Sequence, residues 1–184
     1  MTREFNGIRP TIDPSAFIAD TAVIIGDVKI GRESSIWFNT VVRGDVNMIR
    51  IGSRTNVQDH CMLHVTGGRG DDSGSPLVIG SDISIGHRVT LHGCTVEDGA
   101  FIGMNAIILD NCVIGRGAMV AAGSLLPEGT TVPPGTLWMG TPARYRRDVY
   151  QTDRERIERT TASYLRLCAR YREAAIPPPG RDLP

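Results

Sequence analysis

Aliphatic residues recur every six positions along much of this chain: Ile12, Ile18, Ile24, Ile30, Ile36 and Val42, then Ile79, Ile85 and Leu91, then Ile102, Ile108, Ile114, Val120 and Leu126. A six-residue period matches neither the helical turn nor the alternation of one long strand. It predicts short strands joined by tight turns and wound into a parallel β-helix. Glycine often follows the aliphatic residue, as at Gly31, Gly52, Gly80, Gly86, Gly103 and Gly115, where it permits a strained corner or a close backbone approach. The ladder slips three times: nine residues separate Val42 from Ile51, sixteen separate Leu63 from Ile79, and five separate Leu91 from Val96. The largest slip holds the Gly-rich run Thr66 to Pro76, predicted to be a mobile loop expelled from the coil. It is not a phosphate cradle, because no helix start with Lys-Ser/Thr follows.

After Pro127 the pattern changes. Pro133-Pro134-Gly135 breaks the coil, and Thr152-Asp153-Arg154-Glu155 offers a capping box before a helical pattern running to about Ala175. Ile157, Thr161, Tyr164, Cys168 and Tyr171 recur at helical spacing, a stripe suited to covering one flank of the β-helix. The prolines from Pro177 onward forbid helix and sheet alike. The predicted fold is an all-β solenoid of hexapeptide repeats over residues 1–140, a C-terminal helical segment over 141–176 packed on its flank, and a disordered tail over 177–184.

Twenty basic and twenty acidic residues balance among 184, which removes the bulk electrostatic argument for nucleic acid or an anionic membrane and points to a small partner. No run approaches the roughly 18 apolar residues of a spanning helix. Met1 to Asp20 lacks a basic segment followed by an apolar run, so a cytoplasmic location is expected. Cys61, Cys94, Cys112 and Cys168 are widely spaced, indicating neither a disulfide framework nor a zinc ribbon.

Three of the four histidines, His64, His87 and His92, fall in the middle of the ladder. If three hexads make one turn, Val42, Leu63 and Leu91 share a face, and Arg43, His64 and His92 form a column beside them. Neighbouring coils lie about 4.8 Å apart, so His64 and His92 can share one metal ion. His87 sits on the preceding face and points away, so one chain cannot close the site. A symmetric trimer brings His87 of one subunit against the His64 and His92 pair of the next.

Arg43-Gly44-Asp45, Asn56-Val57-Gln58-Asp59, His64, Ile85-Gly86-His87, Leu91-His92-Gly93-Cys94 and Gly140-Thr141-Pro142-Ala143 follow one another in an order and spacing that resembles the γ-class carbonic anhydrases over most of the chain. The resemblance implies a left-handed β-helix, an exception to the usual crossover hand, assembled as a homotrimer. It implies that His64, His87 and His92 bind zinc and leave one position open, and that water activated on the metal converts carbon dioxide reversibly to bicarbonate at the trimer interfaces. By the same likeness Gln58 orients the nucleophile or carbon dioxide, Asp59 accepts a hydrogen bond behind the ligands or at the interface, Arg43 and Asp45 pair across the interface, and Tyr164 points toward the site. A three-histidine site also accepts iron or cobalt.

The chain departs from well-known active members, where a glutamate follows Arg-Gly-Asp and another in a long acidic loop relays protons. Val46 takes the first place, and the loop offers only Asp71 and Asp72, which predicts slow proton export. His60 reads as solvated, Cys94 as a small packed residue rather than a fourth ligand, and Trp37, Phe38 and Trp138 as packing or interface residues. Two other functions fit hexapeptide repeats: an acyl-coenzyme A transferase or thioesterase, which needs a histidine base rather than three ligands, and a metal-bearing structural or assembly subunit.

Overall fold

The ladder residues become three stacked columns. In a computed structural model of the protein, which describes residues 1–174, the expected tail lies outside the described residues. The first face stacks Ile12, Ile30, Ile51, Ile79, Val96, Ile114 and Val132 in parallel register. The second stacks Ile18, Ile36, Val57, Ile85, Ile102, Val120 and Trp138. The third stacks Ile24, Val42, Leu63, Leu91, Ile108 and Leu126. The result is the left-handed parallel β-helix of about 8 turns with one C-terminal helix. Most of these side chains are fully buried in a single continuous core.

The corners follow the same phase. A residue with left-handed backbone stands three positions after the ladder residue at Glu33, Asn39, Arg54, His60, Asp82, Arg88, Asn105 and Asn111, and Gly99, Gly117, Gly123, Gly129 and Gly135 continue the series. Coil-to-coil hydrogen bonds hold this unfavourable conformation: Arg88 N donates to Asp59 O at 3.0 Å and Asn105 N to His87 O at 2.9 Å. The glycines directly after the ladder residue have a different reason. A Cβ on Gly31 would stand 2.6 Å from Gly52 O, and one on Gly86 2.7 Å from Met104 N, so close stacking excludes a side chain there.

The structure differs from the sequence reading in four places. Val41–Ile51 is one extended strand that joins the third face to the first across the nine-residue slip. Thr66 to Ser75 is a closed hairpin, bridged at Thr66 with Ser75 and at Arg69 with Asp72. Pro133-Pro134-Gly135 does not end the coil; Gly135 supplies another left-handed corner, and Thr136–Gly140 forms a further rung. Ala143–Asp148, grouped by the sequence reading with the helix, is a strand running back antiparallel along that rung.

The helix, Gln151–Ala174, begins one residue before the expected box. Its start is held by Asp153, whose Oδ2 accepts from Tyr150 N at 2.8 Å and from Arg147 Nη1 at 2.6 Å. Ile157, Thr161 and Cys168 are buried against the second face, where Thr161 Oγ1 and Ser84 Oγ stand 3.2 Å apart. Trp37 receives the edges of Tyr164 and Tyr171, each with its centroid 5.3 Å away. The second face is therefore covered. Ile102→Ala, which empties a fully buried rung position, is expected to cost about 2–5 kcal/mol in chemical denaturation.

Candidate metal centre on two edges of one face

Because strand side chains alternate, each face has an outward column beside its inward one. On the first face it reads Lys29, Arg50, Val78, Thr95, Val113 and Thr131. On the third face it reads Val23, Val41, Met62, Thr90, Ile107 and Leu125, almost wholly apolar and not covered by the helix. Met62 and Ile107 are 40% and 42% exposed. The residues singled out from sequence divide between the two edges of this third face.

One edge carries Arg43, Asp45, His64 and His92. Leu63 and Leu91 are paired in register, which sets His64 directly beside His92, with His64 Nδ1 3.0 Å from His92 Nε2. His64 Nε2 contacts Asp45 Oδ1 at 3.0 Å, and Arg43 Nη1 donates to Asp45 Oδ2 at 2.5 Å. Arg43 and Asp45, expected to pair across subunits, pair with each other within the single chain. Residues two apart in the extended strand share a side, so the guanidinium reaches its own carboxylate. His92 Nδ1 meets Asp110 Oδ1 at 2.7 Å. Asp110 was not singled out from sequence; its signal is a carboxylate at the same corner of the next coil, two residues past Ile108.

The other edge carries Gln58, Asp59, His87 and Tyr164. His87 Nδ1 meets Asp59 Oδ2 at 2.8 Å. Gln58 is 5% exposed, and its Nε2 donates to Asn56 Oδ1 at 3.1 Å. Burial first, then the neighbouring Asp59 charge, pushes the Tyr164 hydroxyl up to about 12, so it is a proton donor and not a phenolate. His87 and His92 lie at opposite ends of the same rung, and the five-residue step between them spans up to about 17 Å. Among the described residues no three His, Cys, Asp or Glu side chains of one chain converge as a metal-binding group.

The donor set fits a metal of the zinc type. His64 Nε2 and His92 Nδ1 each hydrogen-bond a carboxylate of their own chain, Asp45 and Asp110, and in the tautomer that donates to that carboxylate the other ring nitrogen is a lone-pair donor; His87 Nδ1 lies beside Asp59. The facing nitrogens of His64 and His92 are 3.0 Å apart, near the roughly 3.3 Å edge of a tetrahedron with bonds of about 2.0–2.1 Å. Burial is the largest influence on His64 and holds it below its ordinary 6.5, so the neutral form needed by a ligand persists to lower pH. Burial alone would raise Asp45 and Asp110, but hydrogen bonds outweigh it: Arg43 and His64 on Asp45, Thr66 and His92 on Asp110. Both carboxyls end below their usual range. Cys94 is 1% exposed, and burial drives its thiol far up, which makes it a packed residue and a poor thiolate ligand. His60 is an exposed left-handed corner residue.

Known proteins share this arrangement of chain. Residues 93–128 match the model of the bacterial transferase hexapeptide family, six repeats. The chain is 46% identical to a carbonic anhydrase of Geobacillus kaustophilus over 90% of this chain and 87% of that one. It is 45% identical to the mitochondrial γ carbonic anhydrase 1 of Arabidopsis thaliana over 86% of this chain, and it spans 58% of that relative's length. A solved hexapeptide transferase family protein from Anaplasma phagocytophilum superposes with a TM-score of 0.86 at 41% identity, covering 92% of this chain and 97% of that one. A Bacillus cereus structure, named provisionally as an acetyltransferase, gives 0.89 at 44% identity over 94% and 97%.

The lowered groups of this site contribute to the pH response of the metal-free protein. His64 binds its proton more weakly folded than unfolded, so its linked stability is lost as pH falls below about 6.5. Asp45 and Asp110 contribute fully above 3.8 and lose their contribution as pH falls through their lower folded values. Urea midpoints measured against pH should decline in these two stages, and His64→Gln should flatten the upper one.

Proposed function

Because the chain belongs to the γ-class carbonic anhydrase family of hexapeptide-repeat proteins, we propose that it assembles as a homotrimer with three interfacial zinc sites and hydrates carbon dioxide reversibly to bicarbonate. The observation that carries this reading is the pair of half-sites: His64 and His92 on one edge of an uncovered apolar face, His87 on the other. Packing three such faces about an axis buries Val41, Met62, Ile107 and Leu125 and brings one chain's His87 edge to the next chain's His64 and His92 edge.

Within the closed site Asp45 and Asp110 hold the rings of His64 and His92 in one tautomer and orientation, Asp59 stands against His87, and Arg43 holds Asp45. When bound, the metal supplies Lewis acidity that makes a water molecule nucleophilic near neutral pH. Gln58 stands on the His87 edge, where its amide orients carbon dioxide or the nucleophile once released from Asn56. Tyr164, protonated behind Asp59, closes that edge from the helix. Val46 lies over Gly67 at the hairpin, so no carboxylate follows the Arg-Gly-Asp corner and proton export depends on buffer. The four free, buried cysteines fit a reducing compartment such as the cytoplasm.

A second reading, acyl transfer from coenzyme A, is favoured by the transferase names of the two solved relatives. Acetyl-coenzyme A consumption by metal-free protein separates it from the first, because His-ligated zinc is then dispensable. An assembly role would leave metal-dependent trimers without turnover.

Stopped-flow carbon dioxide hydration by the metal-quantified protein is expected to track bound zinc and to vanish in His92→Ala. Full metal occupancy without hydration would sink the anhydrase reading. Ile107→Glu places a charge on the exposed apolar column at little cost to the single chain, within about 0.5 kcal/mol. Sedimentation should show monomers for this variant and metal analysis a large loss of bound zinc; an intact, zinc-loaded trimer would place the interface elsewhere.

A further inference from the structure

The three carboxylates behind the histidines are not equivalent. Asp45 and Asp59 lie in the Arg-Gly-Asp and Asn-x-Gln-Asp motifs, whereas Asp110 lies outside any motif and one coil above its histidine. Both its oxygens are engaged: Oδ1 with His92 Nδ1 at 2.7 Å, and Oδ2 accepting from Thr66 Oγ1 at 2.6 Å. Thr66 is the root of the expelled hairpin, and its backbone pairs with Ser75. Ser75 Oγ in turn donates to Asn111 Oδ1 at 3.0 Å, beside Asp110.

Room for this contact comes from Gly93. Its φ of +51° turns the chain where the ladder loses a residue, and a Cβ there would collide with the Asp110 carboxylate and stand 2.7 Å from Ser75 Cβ. The corner is also pinned by backbone bonds, Gly93 N to His64 O at 3.0 Å and Asn111 N to Gly93 O at 2.8 Å. The five-residue slip therefore opens the gap that Asp110 fills. Asn47 fastens the far side of the hairpin, donating to Thr66 O at 3.0 Å and Ser73 O at 2.9 Å.

We propose that Asp110, steered by Thr66, is the positioning residue that presents His92 Nε2 to the metal, so that the 66–75 hairpin is part of the metal site. The inference rests on the metal-binding reading above for its consequence but not for its geometry. With Asp110 accepting from Nδ1, His92 is held in the tautomer whose Nε2 carries a lone pair toward His64. Without it the ring is free to turn and to protonate on Nε2. Thr66 keeps the carboxylate from rotating away and ties its position to the hairpin.

The test uses full-length protein labelled with ¹⁵N-histidine. In metal-free wild type, His92 is expected as the Nδ1–H tautomer; in Asp110→Ala it should shift toward Nε2–H, and zinc affinity by chelator competition should fall about 10–100-fold. Asp110→Asn keeps an acceptor in place and should restore the tautomer and most of the affinity. That rescue separates positioning from general loss of structure. Thr66→Val, which leaves the carboxylate and the fold, should weaken zinc by on the order of 10-fold or less and move the His92 resonances; it also serves if Asp110→Ala does not fold. An unchanged His92 tautomer together with wild-type zinc affinity in Asp110→Ala, or in Thr66→Val should that variant alone fold, would overturn the proposal. A wild type that binds no zinc sinks the metal reading instead, while the tautomer of the metal-free protein still decides the role of Asp110.

Discussion

Parallel stacking of coil on coil is the constraint from which the rest of this molecule follows. Hydrogen bonds from each rung to the next set a spacing of about 4.8 Å, and that spacing decides what stands at every position. It fills the interior with one aliphatic residue per face, excludes side chains after Ile30 and Ile85, and sustains left-handed backbone at Arg88 and Asn105. It also sets His64 beside His92. Two residues far apart in sequence become neighbours because Leu63 and Leu91 are in register, and no flexible segment has to bring them together.

The aliphatic period made the three faces legible, since a six-residue repeat has few other physical realisations. The adjacency of His64 and His92 followed from counting rungs, and the separation of His87 from its place one face earlier. What escaped lies where the repeat is interrupted. Ala143–Asp148 carries Arg144, Arg146 and Arg147 with no alternating apolar partner, so nothing in its pattern announces a strand; its pairing comes from the rung it lies against. Pro133-Pro134 resembles a terminator locally, but a corner already needs an irregular backbone and absorbs both prolines. Asp110 and Thr66 are joined by a hydrogen bond across 44 residues, which no linear spacing encodes.

The interruptions and the chemistry coincide. Repetition builds a rigid rack of identical corners; each slip replaces one corner by something else, and these replacements surround the histidines. The long strand through Val41–Ile51 places Arg43 and Asp45 side by side, the sixteen-residue slip supplies Thr66, and the five-residue slip supplies Gly93. Preorganisation is inherited from the rack, so His64, His92 and the carboxylates beside them are already ordered in the single chain.

The returning strand after Gly140 bears on how the solenoid ends. A stack of parallel rungs presents an open edge that another copy of the same stack could extend, lengthening into a fibre. Here the terminal strand of the second sheet runs the opposite way and lines that edge with exposed arginines. Reversed polarity and like charge together make this edge of the second face a poor template for a further parallel rung.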